Sequence, residues 1–146
     1  MPQLVRTPAH PRNPRRRDPS SSLRSFTVND YLHLQVSTTA DSHATATKLA
    51  TAAVAAKVAA SAQIHGPVDS FFWHQGESGK GQEWQVTLKT TAERYPALEA
   101  LLLREHPWDN PEITATPLVR GSASYFAWVE RTLDDGQHRS SRRAHP

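Results

Sequence analysis

The run from Ala44 to Ala60 constrains the fold more than any other stretch. It is alanine-rich, and alanine is the strongest helix former. Its small side chain also lets a helix lie close against a sheet. Leu49, Ala53, Ala56 and Ala60 mark one stripe, widened by Val54 and Val58. Ahead of it, Tyr31-Leu32-His33-Leu34-Gln35-Val36-Ser37 alternates, so Leu32, Leu34 and Val36 share one face of a half-buried strand. Thr38 to Ser42 supplies turn and cap residues. Behind it, Ala62 to His65 begins a second strand, Gly66-Pro67 interrupts it, and Val68 to His74 resumes it. A helix flanked by two strands is the first half of a fold that the rest of the chain repeats.

The second half reads the same way. Gln75 to Gly81 carries three glycines and is predicted as a hairpin loop. It lacks the Gly-Lys-Ser/Thr ending of a phosphate-binding loop, and no helix follows it. Trp84, Val86 and Leu88 alternate in a third strand that ends at Lys89-Thr90. A second helix starts near Thr91, with Glu93 and Pro96 early in it and Leu98, Leu101 and Leu102 as its apolar stripe. It closes at His106-Pro107, because proline cannot donate to the helix. Asn110-Pro111 turns the chain again. Residues 112–119 give a fourth strand, where Pro117 implies an edge or a bulge. Ser122 or Ser124 caps a last helix lined by Phe126, Val129 and Leu133.

The predicted class is therefore α+β: a ferredoxin-like split βαβ fold, βαββαβ plus a C-terminal helix, with both main helices on one face of an antiparallel sheet. Trp73, Trp84 and Phe71 or Phe72 exceed what one helical layer can bury. Such a sheet invites association with other copies.

Charge separates the ends from the middle. Residues 1–27 hold six arginines against one acid, Asp18, among five prolines. Residues 134–146 hold three arginines and two aspartates. The net charge of +3 thus belongs to the tails, and the middle is net acidic. The reading is a basic tail over 1–27, too poor in large apolar residues to fold, a domain over 28–133, and a flexible C-terminal tail from 134. The tail is a solvated segment or upstream sequence swept in by a misplaced start; an arm touching nucleic acid or anionic lipid is the functional alternative. Hydrophobic content of 37% and a mean hydropathy of −0.62 fit a small domain with polar ends. There is no cysteine, which excludes disulfides and thiolate zinc sites. No apolar run approaches a membrane span, and no signal core opens the chain. The expected location is the cytoplasm.

Several short matches, in one order and without a large gap, carry a family resemblance. They are Lys57-Val58-Ala59-Ala60, then Ser70 with the aromatic cluster and Gly76, then Glu83 followed by Lys89-Thr90. His106-Pro107-Trp108 with Pro111-Glu112-Ile113 comes next, and the Tyr125 to Trp128 spacing closes the set. From about Tyr31 to Leu133 the chain resembles the CutA divalent-cation-tolerance proteins. The resemblance implies a ferredoxin-like homotrimer, similar to the PII signalling proteins, with clefts between subunits. It implies a link to divalent metals, copper in particular; with His106 beside carboxylates as the donors here, any Cu or Zn is expected to be held weakly.

Carried over residue by residue, the metal positions fall on Thr38, Glu105 and His106. A copper-binding member has cysteine at the first and histidine at the second. Thr38 cannot supply a thiolate, so tight Cu(I) binding is not expected. Lys57, Trp73, Glu83, Lys89, Trp108, Glu112 and Trp128 fall in the intersubunit ligand cleft. His106 has two readings: a ligand beside carboxylates, or a helix-end residue bonded to a turn carbonyl. His33, His65 and His74 are further candidates on strands. No nucleophile elbow or His-Glu-x-x-His motif occurs, so no enzyme is expected. The alternative to metal tolerance is a PII-like sensor holding a small anionic ligand near Lys57 and Lys89.

Overall fold

The computed structural model describes residues 31–134. The tail expected over 1–27 and nearly all of the C-terminal tail lie outside the described residues. Seven elements follow: β1 (His33–Ala40), α1 (His43–Ala55), β2 (Ser61–His74), β3 (Glu77–Thr91), α2 (Tyr95–Glu105), β4 (Ile113–Pro117) and α3 (Ala123–Leu133). The strands form one antiparallel sheet in the order β2-β3-β1-β4. This is the ferredoxin-like arrangement expected, with a C-terminal helix added.

β1 alternates as predicted but runs to Ala40, through residues expected to turn. Thr38 and Thr39 are β-branched and suit a strand, and β3 offers a partner as far as Ala40 opposite Trp84. Leu34, Val36, Thr38 and Ala40 are buried on one face. Leu32, expected to join them, precedes the strand and is exposed.

Ser42 caps α1, its hydroxyl oxygen accepting from the Thr45 N–H at 3.1 Å. The helix stops at Ala55, short of the expected Ala60. Ala56 is the C-cap and Lys57 turns left-handed at φ 55. The buried stripe is therefore Ala46, Leu49 and Ala53, without Ala56 or Ala60, and Val54 is exposed. Val58 and Ala59 drop into the main core beneath the helix instead.

α1 and α2 cover the face that carries Val36, Ala40, Val86 and Leu88, and Leu98, Leu101 and Leu102 complete that core. α2 begins at Tyr95, so Glu93 lies ahead of it, and Pro96 sits in its first turn. β1 alternation sends His33 to the opposite face, where its ring stacks on Phe126 of α3 at 4.0 Å. There Ala60, Val129 and Leu133 make a second, smaller cluster. Ser122 is the cap of α3. Arg94 ties its far end, donating from Nε and Nη2 to the Leu133 carbonyl at 3.1 and 2.6 Å.

The glycine-rich loop shrinks to a two-residue turn. Gln75 and Gly76 have φ of 51 and 81, as a type I′ hairpin requires, and Ser78 to Gly81 pair with β2. β1 meets β3 only between Trp84 and Thr91. Past Trp84, β2 and β3 continue alone as a two-stranded ribbon. Phe71 and Trp73 on it are each 77% exposed. Trp84 itself packs with the main core and does not belong to the surplus. A Cβ at Gly66 would stand 2.7 Å from the Trp84 ring, so the bulge between His65 and Val68 needs glycine for that approach. β4 is shorter than the expected 112–119 and is an edge, which accommodates Pro117.

Two outcomes follow from the cap and from α2. Lys57→Gly removes the left-handed penalty of a side chain and is expected to raise unfolding stability by about 1 kcal/mol, read as a higher urea midpoint at matched chain concentration. The Tyr95 hydroxyl donates to Glu99 Oε2 at 2.7 Å. Burial, then that bond and the carboxylate's charge, push its pKa from 10.0 up to about 12. The unfolded phenol ionises first, so stability is full below pH 10 and declines from there toward pH 12. Tyr95→Phe is expected to flatten that alkaline limb in a pH series of thermal melts.

Candidate functional site

The candidate corner forms where α2 ends beside β1. β4 pairs with β1 only as far as Ile113 opposite Thr38. One residue further on, the side chain of His106 takes over: its Nε2 lies 2.7 Å from the Thr39 carbonyl oxygen. A carbonyl only accepts, so Nε2 carries the proton. Nδ1 then holds the lone pair, and the Trp108 N–H donates to it at 3.1 Å. His106 is the C-cap of α2, with φ −73 and ψ 135, and is 7% exposed. Pro107 imposes that extended geometry on the residue before it. The Trp108 indole stands 5.0 Å away, tilted by 46°, and is half-buried.

Thr38 and Glu105 reach the same corner with different chemistry. Thr38 is fully buried, and its hydroxyl has no hydrogen-bond partner. Glu105 lies 3.5 Å from Arg104 and 4.0 Å from Lys48. Glu112 is exposed just ahead of β4. Among the described residues, no group of three or more histidine, aspartate and glutamate side chains stands ready to hold a metal ion. The donor set agrees with the poor fit: an imidazole with both nitrogens engaged, a carboxylate among cations, and a neutral hydroxyl.

The proposed cleft residues are scattered over one chain. Trp73 is on the ribbon, lining an open depression of about 360 Å³ with Phe71, Phe72, Ser78, Gly79 and Lys80. Glu83 stands opposite Val68 at the bulge. Lys89 pairs with Gln35 and Ser61, and its carbonyl accepts from the Ala60 N–H at 2.8 Å. That bond draws the exposed Lys57, three residues earlier, toward the same end of β3. Trp128 is exposed on α3 beside Tyr125, ring to ring 5.8 Å. No ring contact or hydrogen bond among the described residues links Trp73 or Trp128 to the His106 corner.

His33 does more than a lone strand histidine suggests. Besides stacking on Phe126, it places Nε2 2.9 Å from Glu130 Oε1. A Cβ at Gly121 would stand 2.6 Å from the tip of the Phe126 ring. Partners 97 residues apart leave no local trace in a sequence.

The fold and corner define a ferredoxin-like α+β domain with an open aromatic ribbon and a histidine-pinned helix end. A family model described as CutA1 divalent ion tolerance protein matches residues 34–132, and the chain belongs to that family. The divalent-cation tolerance protein CutA of Escherichia coli O139:H28 is 34% identical over 95 residues, 65% of this chain and 85% of that protein. Among solved structures, the divalent cation tolerance protein from Thermus thermophilus has TM-score 0.66 and 32% identity, covering 67% of this chain and 95% of that one. CutA from Synechococcus elongatus PCC7942 has TM-score 0.68 and 32% identity, covering 71% and 92%.

Thr38 provides a direct check on the corner. Its buried, unpartnered hydroxyl carries a desolvation cost that the near-isosteric valine lacks. Thr38→Val is expected to stabilise the protein by roughly 1 kcal/mol, measured by chemical unfolding; a loss of that size would mean the hydroxyl has a partner.

Proposed function

We propose that this chain serves the tolerance of divalent cations as a non-enzymatic homotrimer. The family match, spanning the domain from β1 to α3, carries the first part. The second rests on the ribbon. Two strands alone are marginal in water, and Phe71 and Trp73 leave most of their rings exposed. β2 and β4 also present edges on opposite sides of the sheet. Edges of that kind are templates for pairing between copies, and a head-to-tail contact whose rotation closes gives a ring.

Direct binding of Cu²⁺ or Zn²⁺ is weak in this reading, because Thr38, Glu105 and His106 are neutral, ion-paired and hydrogen-bonded respectively. A second reading is a PII-like sensor for a small anionic ligand. The bond between Ala60 and Lys89 favours it, since it draws the backbones of Lys57 and Lys89 to one end of β3.

Light scattering in dilute buffer is expected to give about three chains per particle, and Phe71→Ser with Trp73→Ser to shift it toward one. A monomeric wild type would overturn the assembly. Calorimetry of the full chain with Cu²⁺ and Zn²⁺ tests binding: absence of heat with both would remove it and leave the anion reading.

A further inference from the structure

The corner supports a narrower statement about His106, resting on the family assignment above but not on its metal reading. We infer that His106 is a positioning residue in this chain and not a metal ligand. Its neutral imidazole fastens the end of α2 to β1 and sets where Trp108 stands.

Three observations carry this. The Nε2 proton is committed to the Thr39 carbonyl at 2.7 Å, a backbone acceptor that β4 is too short to satisfy. The Nδ1 lone pair is committed to the Trp108 N–H at 3.1 Å. The ring is 7% exposed, so neither nitrogen reaches an ion without breaking a bond. A metal needs the lone pair of a neutral imidazole. Taking Nδ1 would strip the Trp108 N–H of its acceptor, and an unpaired backbone donor is costly. Taking Nε2 would expel its proton and leave the Thr39 carbonyl unpaired. Nor do companions repay either loss. Glu105 sits beside Lys48 and Arg104, and Thr38 offers only a neutral hydroxyl.

Both bonds instead serve geometry. They connect residues 67 apart in sequence with the turn that carries the indole. Trp108 is thus held by its own backbone amide to a ring that is anchored on the sheet.

The test is nitrogen NMR of the His106 ring in the full chain, without and with Zn²⁺, backed by His106→Gln and His106→Asn. The expected ring is the Nε2–H tautomer, with both nitrogen shifts unmoved by Zn²⁺. The variants should keep any metal affinity within about twofold of wild type while moving the Trp108 amide and indole resonances. Asn, which retains an acceptor near Nδ1, should move the amide less than Gln. A Zn²⁺-induced shift at either ring nitrogen, or a tenfold loss of metal affinity in both variants, overturns the inference. Should the variants not fold, the wild-type ring with Zn²⁺ decides alone. If the chain takes up no metal, the tautomer decides: an Nδ1–H ring overturns the positioning role, whereas the calorimetric failure bears only on the proposed metal binding.

Discussion

Everything in the domain rests on eight consecutive pairs between β1 and β3, from His33 opposite Thr91 to Ala40 opposite Trp84. That ladder forms the centre of the sheet. The main core lies along it, because Val36, Ala40, Val86 and Leu88 alternate toward α1 and α2. The smaller cluster of Ala60, Val129 and Leu133 with α3 sits on the reverse side. Where β1 ends, so does the shelter. β3 runs on from Trp84 back to Glu77 with β2 as its sole strand partner among the described residues, and Phe71 and Trp73 beyond that point leave most of their rings exposed. One strand's length thus divides the aromatics into two classes. Trp84 closes the core over Gly66, and Phe71 and Trp73 look outward.

The same logic of strand length explains the His106 corner. β4 joins β1 for five residues and stops. The next carbonyl on β1, that of Thr39, would otherwise lack a donor, and buried backbone groups are paired almost without exception. An imidazole from the end of α2 supplies it. Once one nitrogen is spent on that carbonyl, the other must accept, and the Trp108 N–H is the donor at hand. The chemistry of the site is therefore set by backbone accounting on a neighbouring strand, not by the residue types gathered between His106 and Glu112.

Much of this was legible in the residues. The alternation of Leu34 and Val36, the stripe of Leu98, Leu101 and Leu102, a cap within Thr38 to Ser42, one at Ser122 or Ser124, and an edge or bulge at Pro117 all follow from periods and local chemistry. What was not legible depended on distant partners or on unusual caps. A lysine in the left-handed region ended α1 where a glycine would have announced the stop. Three glycines suggested a long loop, yet Gly79 and Gly81 lie in β3, with the Phe72 ring over Gly79 at 3.3 Å from where its Cβ would be. The family pattern drew attention to His106, but its occupancy by Thr39 and Trp108 follows only from the folded chain.

The two ends of the sheet bear on function differently. The His106 ring is satisfied within one chain, with both nitrogens hydrogen-bonded. The ribbon is open, and its depression, lined by Trp73 on β2 and Lys80 on β3 among others, opens to solvent. In a trimer of the proposed kind, only a neighbouring copy could enclose it further. Any ligand that needs enclosure then binds the assembled form alone. By mass action such a ligand must stabilise the assembly, and dilution must weaken its binding. A cation held by surface carboxylates would show neither dependence. Coupling to assembly therefore separates a cleft ligand from a metal held loosely at the surface.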